Sequence, residues 1–198
     1  SNDIGKGVHA ACGRRGIKVV CEMGGKNPAI VMDDAAQDLA LAGVLKGAFG
    51  STGQRCTATS RLLLQDGIYD TFLAALARAA KEIRVGPGLE DGVGMGPAVD
   101  ESHLKTDLDY IEIARKEGAE LVCGGKRLSR GELQHGYFVE PTIFAKVTPA
   151  MRLWREEVFG PVLAIARFSD YAQMIALAND CPFGLTCAIY TRDIGAAM

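Results

Sequence analysis

Cys56 lies in the run Gly53-Gln54-Arg55-Cys56-Thr57, and upstream of it Glu22 opens Glu22-Met23-Gly24-Gly25-Lys26-Asn27-Pro28. A third cluster, Glu156-Glu157-Val158-Phe159-Gly160-Pro161, follows far downstream. Cysteine attacks as its thiolate and is the strongest nucleophile among side chains near neutral pH. The small neighbours Thr57, Ala58, Thr59 and Ser60 suit a loop that presents a thiol to a cleft. Glu22 ends an apolar run beside two glycines, which let backbone or ligand come close, and a carboxylate so placed can serve as general base. Glu156 and Glu157 are acceptor-only groups suited to sugar hydroxyls, and Phe159 can lie against a flat ring. A thiol, a base and a sugar-holding carboxylate are together the inventory for covalent chemistry on a carbonyl. Taken singly, each has an ordinary structural reading: a buried loop thiol, a surface ion pair, a helix-end charge pair beside a core phenylalanine.

The rest of the composition narrows the field. The chain has 198 residues, 48% of them apolar and 23% charged, which is a globular balance and enough for one large domain. A net charge of -2 gives no electrostatic reason to bind nucleic acid or an acidic membrane. No apolar run reaches the roughly 20 residues of a membrane span. The six cysteines are irregularly spaced and include no Cys-x-x-Cys, which fits a reducing cytoplasm better than a disulfide scaffold. His9, His103 and His135 pair with no cysteine at ligand spacing, so no zinc site is expected.

Those residues must be held by alternating elements. Strands are expected at Ile17–Cys21, Ala29–Met32, Arg61–Leu64, Leu121–Cys123, Pro161–Phe168 and Thr186–Thr191. Helices are expected over Ala35–Phe49, Ile68–Ile83, Leu104–Lys116 and Met174–Asn179, opened by Asp34, Asp66, Asp100 and Asp170. Leu39, Ala42, Leu45 and Phe49 form the inward face of the first of these. The glycine-rich stretch from Val85 to Pro97 reads as an ordered connector, and Lys126–Gly136 as a surface loop or hairpin. Strand and helix in alternation predict an α/β fold with a largely parallel sheet. Ser1 to His9 reads as a helix already in progress, and Asp193 to Met198 as about one turn of another. Gly5 and Gly7, near a helix start, could bind phosphate, although no full G-x-G-x-x-G is present.

The Glu22, Gly53–Cys56 and Glu157–Pro161 blocks resemble the signature motifs of the NAD(P)-dependent aldehyde dehydrogenase superfamily, and the likeness runs from Ser1 to Met198. The resemblance implies that Cys56 attacks an aldehyde, that its N–H supplies half of an oxyanion hole, and that Glu22 activates the water that hydrolyses the resulting thioester. It implies that Glu157 holds the nicotinamide ribose of NAD or NADP, with Phe159 near the ring. Ser1 and Gly5 then fall in the turn that meets the cofactor pyrophosphate. Family members are considerably longer, so the chain reads as a piece of one: residues 1–23 the tail of the cofactor domain, residues 24–198 most of the catalytic domain. On that basis the parent oxidises a small aldehyde as a homodimer or homotetramer, while the fragment alone is inactive as a dehydrogenase. A cofactor-free thiol esterase, or a silent domain with the fold only, are the alternatives. The stretch around Cys56 is similar to members acting on semialdehydes, for which Arg55 or Arg61 could meet a carboxylate.

Overall fold

The computed structural model describes residues 2–198. In chain order the elements are α1 (Asn2–Arg14), β1 (Asn27–Val31), α2 (Gln37–Phe49), β2 (Thr59–Gln65), α3 (Tyr69–Lys81), α4 (Glu101–Lys116), β3 (Glu120–Cys123) and β4 (Arg127–Leu128). They continue with β5 (Phe138–Val139), β6 (Thr142–Ala145), α5 (Arg152–Arg155), β7 (Val162–Phe168), α6 (Tyr171–Asn179), β8 (Ala188–Tyr190) and α7 (Ile194–Ala197). Six strands form one sheet in the order β3-β6-β7-β2-β1-β8, and β4 pairs with β5 in a separate ribbon. Every pairing in the large sheet is parallel except β3 with β6. The α/β reading with a largely parallel sheet therefore holds.

Both faces of that sheet are covered, which explains the unbroken apolar runs at residues 62–64 and 162–166 of its central strands. Leu62 and Leu64 of β2 face one way and pack with Phe49, Phe72 and Leu76 of α2 and α3. Leu63, between them, faces the other way and joins Ile111, Trp154, Phe168 and Met174. The two-residue side-chain period of a strand thus feeds two cores from one strand. Among the described residues no helix is long and apolar enough to cross a membrane.

Several expectations require correction. Residues 17–21 form neither strand nor helix and pair with no described strand, and Ile17 and Val20 are exposed. An apolar run becomes a strand only where a sheet edge receives its backbone. Helix α2 turns a different face inward: Ala40, Val44, Ala48 and Phe49 are buried, whereas Leu39 and Ala42 are exposed. Gly43 and Gly47 explain the rotation, because a Cβ on them would strike Tyr190 and Thr59. The inward stripe is small rather than strongly apolar, so the sheet lies close beneath it. Asp34 and Asp66 do not cap α2 and α3, whose preceding residues Ala36 and Ile68 make no side-chain cap bond. Asp100 and Asp170 do cap α4 and α6, accepting from the N–H of His103 and of Gln173. The strand β6 and short helix α5 were not foreseen, and Lys126–Gly136 resolves into β4 and a 3-10 turn over Gly131–His135.

Candidate active site

Cys56 follows a backbone held in an uncommon conformation. Ser51, Thr52 and Gly53 have φ of 53°, 59° and 67°, three left-handed residues in succession. Such a conformation costs non-glycine residues free energy of order 1 kcal/mol or more each, and persists only where surroundings impose it. Here they do so from two sides. Thr52 Oγ1 donates to Gly96 O (3.1 Å), Gln54 Nε2 donates to Pro97 O (3.1 Å), and Gln54 Oε1 accepts from Val99 N (2.8 Å). On the other side a Cβ at Gly53 would run into Gly160 O, so only glycine fits. Arg55 closes the turn by donating to Lys46 O and Gly47 O at the end of α2. Its guanidinium therefore meets carbonyls of the protein rather than facing a carboxylate.

Cys56 itself is half-buried and unpaired, as are Cys12, Cys21 and Cys181, while Cys123 is buried and Cys187 exposed. Its carbonyl is fixed by Asn27 Nδ2 at 2.7 Å, and the same nitrogen reaches Ala58 O at 2.9 Å. Its N–H donates to no other described group, so it is available to a developing oxyanion. Burial pushes the thiols of Cys123 and Cys187 above their ordinary value.

The three sequence clusters converge through backbone contacts. Gly25 N donates to Glu157 Oε1 at 2.8 Å, and a Cβ on Gly24 would strike the Glu157 carboxylate. A Cβ on Gly25 would stand 2.5 Å from Cys56 O. The two glycines thus lie between the thiol loop and Glu157, which accounts for their pairing in the sequence. Glu22 precedes them, exposed and in neither helix nor strand, and makes no hydrogen bond or ion pair with the described residues. Glu156 does a different job from its neighbour. It accepts from Arg152 Nε (2.9 Å), Arg152 Nη2 (2.8 Å) and Tyr110 Oη (2.6 Å), and the Arg152 guanidinium holds its carboxyl below the usual range. That leaves Glu157, with Oε2 making no hydrogen bond, as the free carboxylate of the pair.

Phe159 is 39% exposed, has a left-handed φ of 63°, and its ring meets that of His103 edge-on at 6.0 Å. His103 Nε2 donates to Phe159 O at 2.7 Å, which fixes the tautomer. Beneath them Asp107 is fully buried with no hydrogen bond to either oxygen, and a Cβ on Gly160 would collide with it. Asp107 and His103 were missed in the sequence, although a carboxylate within the stripe Leu104, Ile111, Ala114 was a readable signal. Asn27 was also missed. Gly5 lies inside α1 and packs against Met23, whose sulfur a Cβ there would strike; Ser1 lies outside the described residues.

The aldehyde dehydrogenase family model matches residues 1–198. The chain belongs to the aldehyde dehydrogenase family. It is 46% identical over 195 residues to the alpha-ketoglutaric semialdehyde dehydrogenase of Bacillus subtilis, covering 98% of this chain and 40% of that protein. The family's betaine aldehyde dehydrogenase from the same organism is 43% identical over 192 residues, covering 97% and 39%. Among solved structures, the betaine aldehyde dehydrogenase of Staphylococcus aureus in complex with NAD+ superposes with a TM-score of 0.92 at 38% identity, covering 98% of this chain and 39% of that one. The chain therefore spans about two-fifths of the length of these family members.

Proposed function

We propose that this chain is the greater part of the catalytic domain of an NAD(P)-dependent aldehyde dehydrogenase, which oxidises an aldehyde to a carboxylic acid through Cys56. The observation that carries the proposal is the convergence of the three clusters, through Gly25 N on Glu157 and Asn27 on the Cys56 carbonyl. The Cys56 thiolate adds to the aldehyde carbon, and the Cys56 N–H stabilises the oxyanion of the thiohemiacetal. NAD(P)+, when bound, supplies the hydride acceptor. Cys56 then carries the acyl group as a thioester, and Glu22 takes a proton from the water that releases it. Glu157 fits the cofactor, since its free Oε2 sits in a cradle that any side chain at Gly24 would fill, and such a carboxylate accepts from ribose hydroxyls. Phe159 lies by the nicotinamide in this reading, with Ser1 and Gly5 toward the pyrophosphate.

The division into residues 1–23 of a cofactor domain and 24–198 of the catalytic domain is supported by α1, which buries no residue. Semialdehydes are the favoured substrates, on the 46% identity to a semialdehyde dehydrogenase. The parent works as a cytoplasmic homodimer or homotetramer. By itself the 198-residue chain holds nucleophile and base but binds cofactor poorly. It is therefore expected not to reduce NAD+ with an aldehyde, while hydrolysing p-nitrophenyl acetate slowly through Cys56. Peptide-mapped iodoacetamide labelling at pH 7 should modify Cys56 ahead of the other five cysteines, and Cys56→Ala should remove the esterase activity. Uniform labelling, or ester hydrolysis unchanged by that substitution, would exclude Cys56 as the nucleophile.

A further inference from the structure

Asp107 is the only fully buried carboxylate among the described residues, and neither of its oxygens has a hydrogen-bond partner. It sits on α4 with Leu104, Ile111 and Ala114, where an acid costs free energy that an apolar side chain would not. What it adjoins beyond that helix is the segment that follows Glu157. Its carboxyl lies under Gly160, and Gly160 O in turn lies against Gly53 of the thiol loop. Gly53, Glu157, Phe159 and Gly160 border one small cleft, so Asp107 stands behind a wall of the site without entering it.

His103 connects the acid to that wall. Its Nε2 donates to Phe159 O at 2.7 Å and stands 3.9 Å from Asp107 Oδ1, so one N–H has two acceptors near it. Phe159 needs the bond, because a phenylalanine with φ of 63° keeps that conformation only where its surroundings impose it. The edge-on contact of the two rings at 6.0 Å belongs to the same arrangement.

We propose that His103 and Asp107 are positioning residues for Phe159: His103 holds the Phe159 carbonyl, and a proton on Asp107 decides whether that bond survives. With the proton in place, Asp107 is a neutral acid and Phe159 O keeps the Nε2 hydrogen. When the proton leaves to solvent, a desolvated carboxylate competes for the same hydrogen, and hydrogen bonds to charged acceptors are about twice as strong as neutral ones. The imidazole then turns toward Asp107, Phe159 O loses its donor, and the strained backbone relaxes. The significance for the cofactor rests on the reading of Glu157 and Phe159 as its nicotinamide side; the coupling itself does not.

Burial pushes the Asp107 carboxyl up to about 7, so the exchange falls in the neutral range. His103, on the same helix, is the charge that acts on Asp107. On the facing segment Glu156 is held by Arg152 and Tyr110, and Glu157 by Gly25 N. Arg155 of α5 pairs with Asp180, and Asp100 accepts from the His103 N–H at the entrance of α4.

The test is fluorine NMR of the 198-residue chain carrying 4-fluorophenylalanine at its seven phenylalanines, from pH 5.5 to 8.5. Loss of one resonance in Phe159→Leu assigns that ring. Its shift is expected to change with an inflection near pH 7, and Asp107→Asn should abolish the inflection and keep the low-pH position. His103→Ala should move the low-pH position, and His103→Gln, whose amide N–H has a similar reach, should restore it. Circular dichroism checks that each variant is folded. A Phe159 resonance independent of pH, an inflection that persists in Asp107→Asn, or a position unmoved by His103→Ala would overturn the proposal. Uniform labelling of the cysteines, which would sink the dehydrogenase reading, leaves each of these outcomes unchanged.

Discussion

Asp107 shows how much one side chain can matter to a site it does not enter. Burial pushes its carboxyl up to about 7, and the His103 imidazole, 3.9 Å away, pulls it partly back. The unfolded chain releases this proton near the ordinary value of 3.8, so between that value and about 7 the folded state holds the extra proton. Stability contributed by the neutral acid is therefore full below pH 4 and is lost as pH rises through 7. Asp107→Asn should remove that slope and raise stability at pH 8, where the wild type buries a carboxylate charge that the amide lacks, by at least about 1–3 kcal/mol. Urea midpoints at pH 5 and pH 8 check it, and a variant no more stable at pH 8 than the wild type would contradict it. At this scale the sequence was legible where motifs were concentrated. Cys56, Glu157 and the glycines between them stood in short runs, whereas Asp107 and Asn27 act through partners far along the chain, and only the fold reveals those.

Helix entrances mark the same boundary between local and distant information. Asp100 and Asp170 were recognisable as caps because donor and acceptor lie three residues apart, with His103 N to Asp100 Oδ1 at 2.8 Å and Gln173 N to Asp170 Oδ1 at 2.9 Å. Asp34 had the same appearance but serves another element: it accepts from Thr191 Oγ1 and from Arg192 N beyond β8. Asp66 instead pairs with Arg167 at 3.4 Å. Asp100→Ala and Asp170→Ala should each cost about 1 kcal/mol in equilibrium unfolding, with fold retained. Asp66→Ala, an exposed pair, should cost under about 1 kcal/mol. A cap substitution no more costly than Asp66→Ala would show that these carboxylates hold nothing.

Across the whole molecule, one sheet separates two cores and contributes side chains to both. Trp154, the single tryptophan, is fully buried in the core formed with α4 and α6, on the side away from α2 and α3. Because β2 and β7 contribute to both clusters, loss of either core should take the other with it. Trp154 fluorescence and far-ultraviolet circular dichroism are therefore expected to give coincident urea transitions, and two resolved midpoints would mean that the cores unfold separately. Alternation of strands and helices was enough to read the parallel sheet from sequence. Strand order was not, because identical apolar runs carry no label saying which neighbour each will take.

That order has a consequence during synthesis. The pair β1–β2 precedes the strands that cover its edges, because β2 waits for β7 on one side and β1 waits for β8 on the other. Until β7 and β8 are made, β1 and β2 form a ribbon with both edges unclaimed, the state most inclined to pair with a neighbouring chain. A nascent polypeptide in this condition is a client for holding chaperones until residue 190 has emerged.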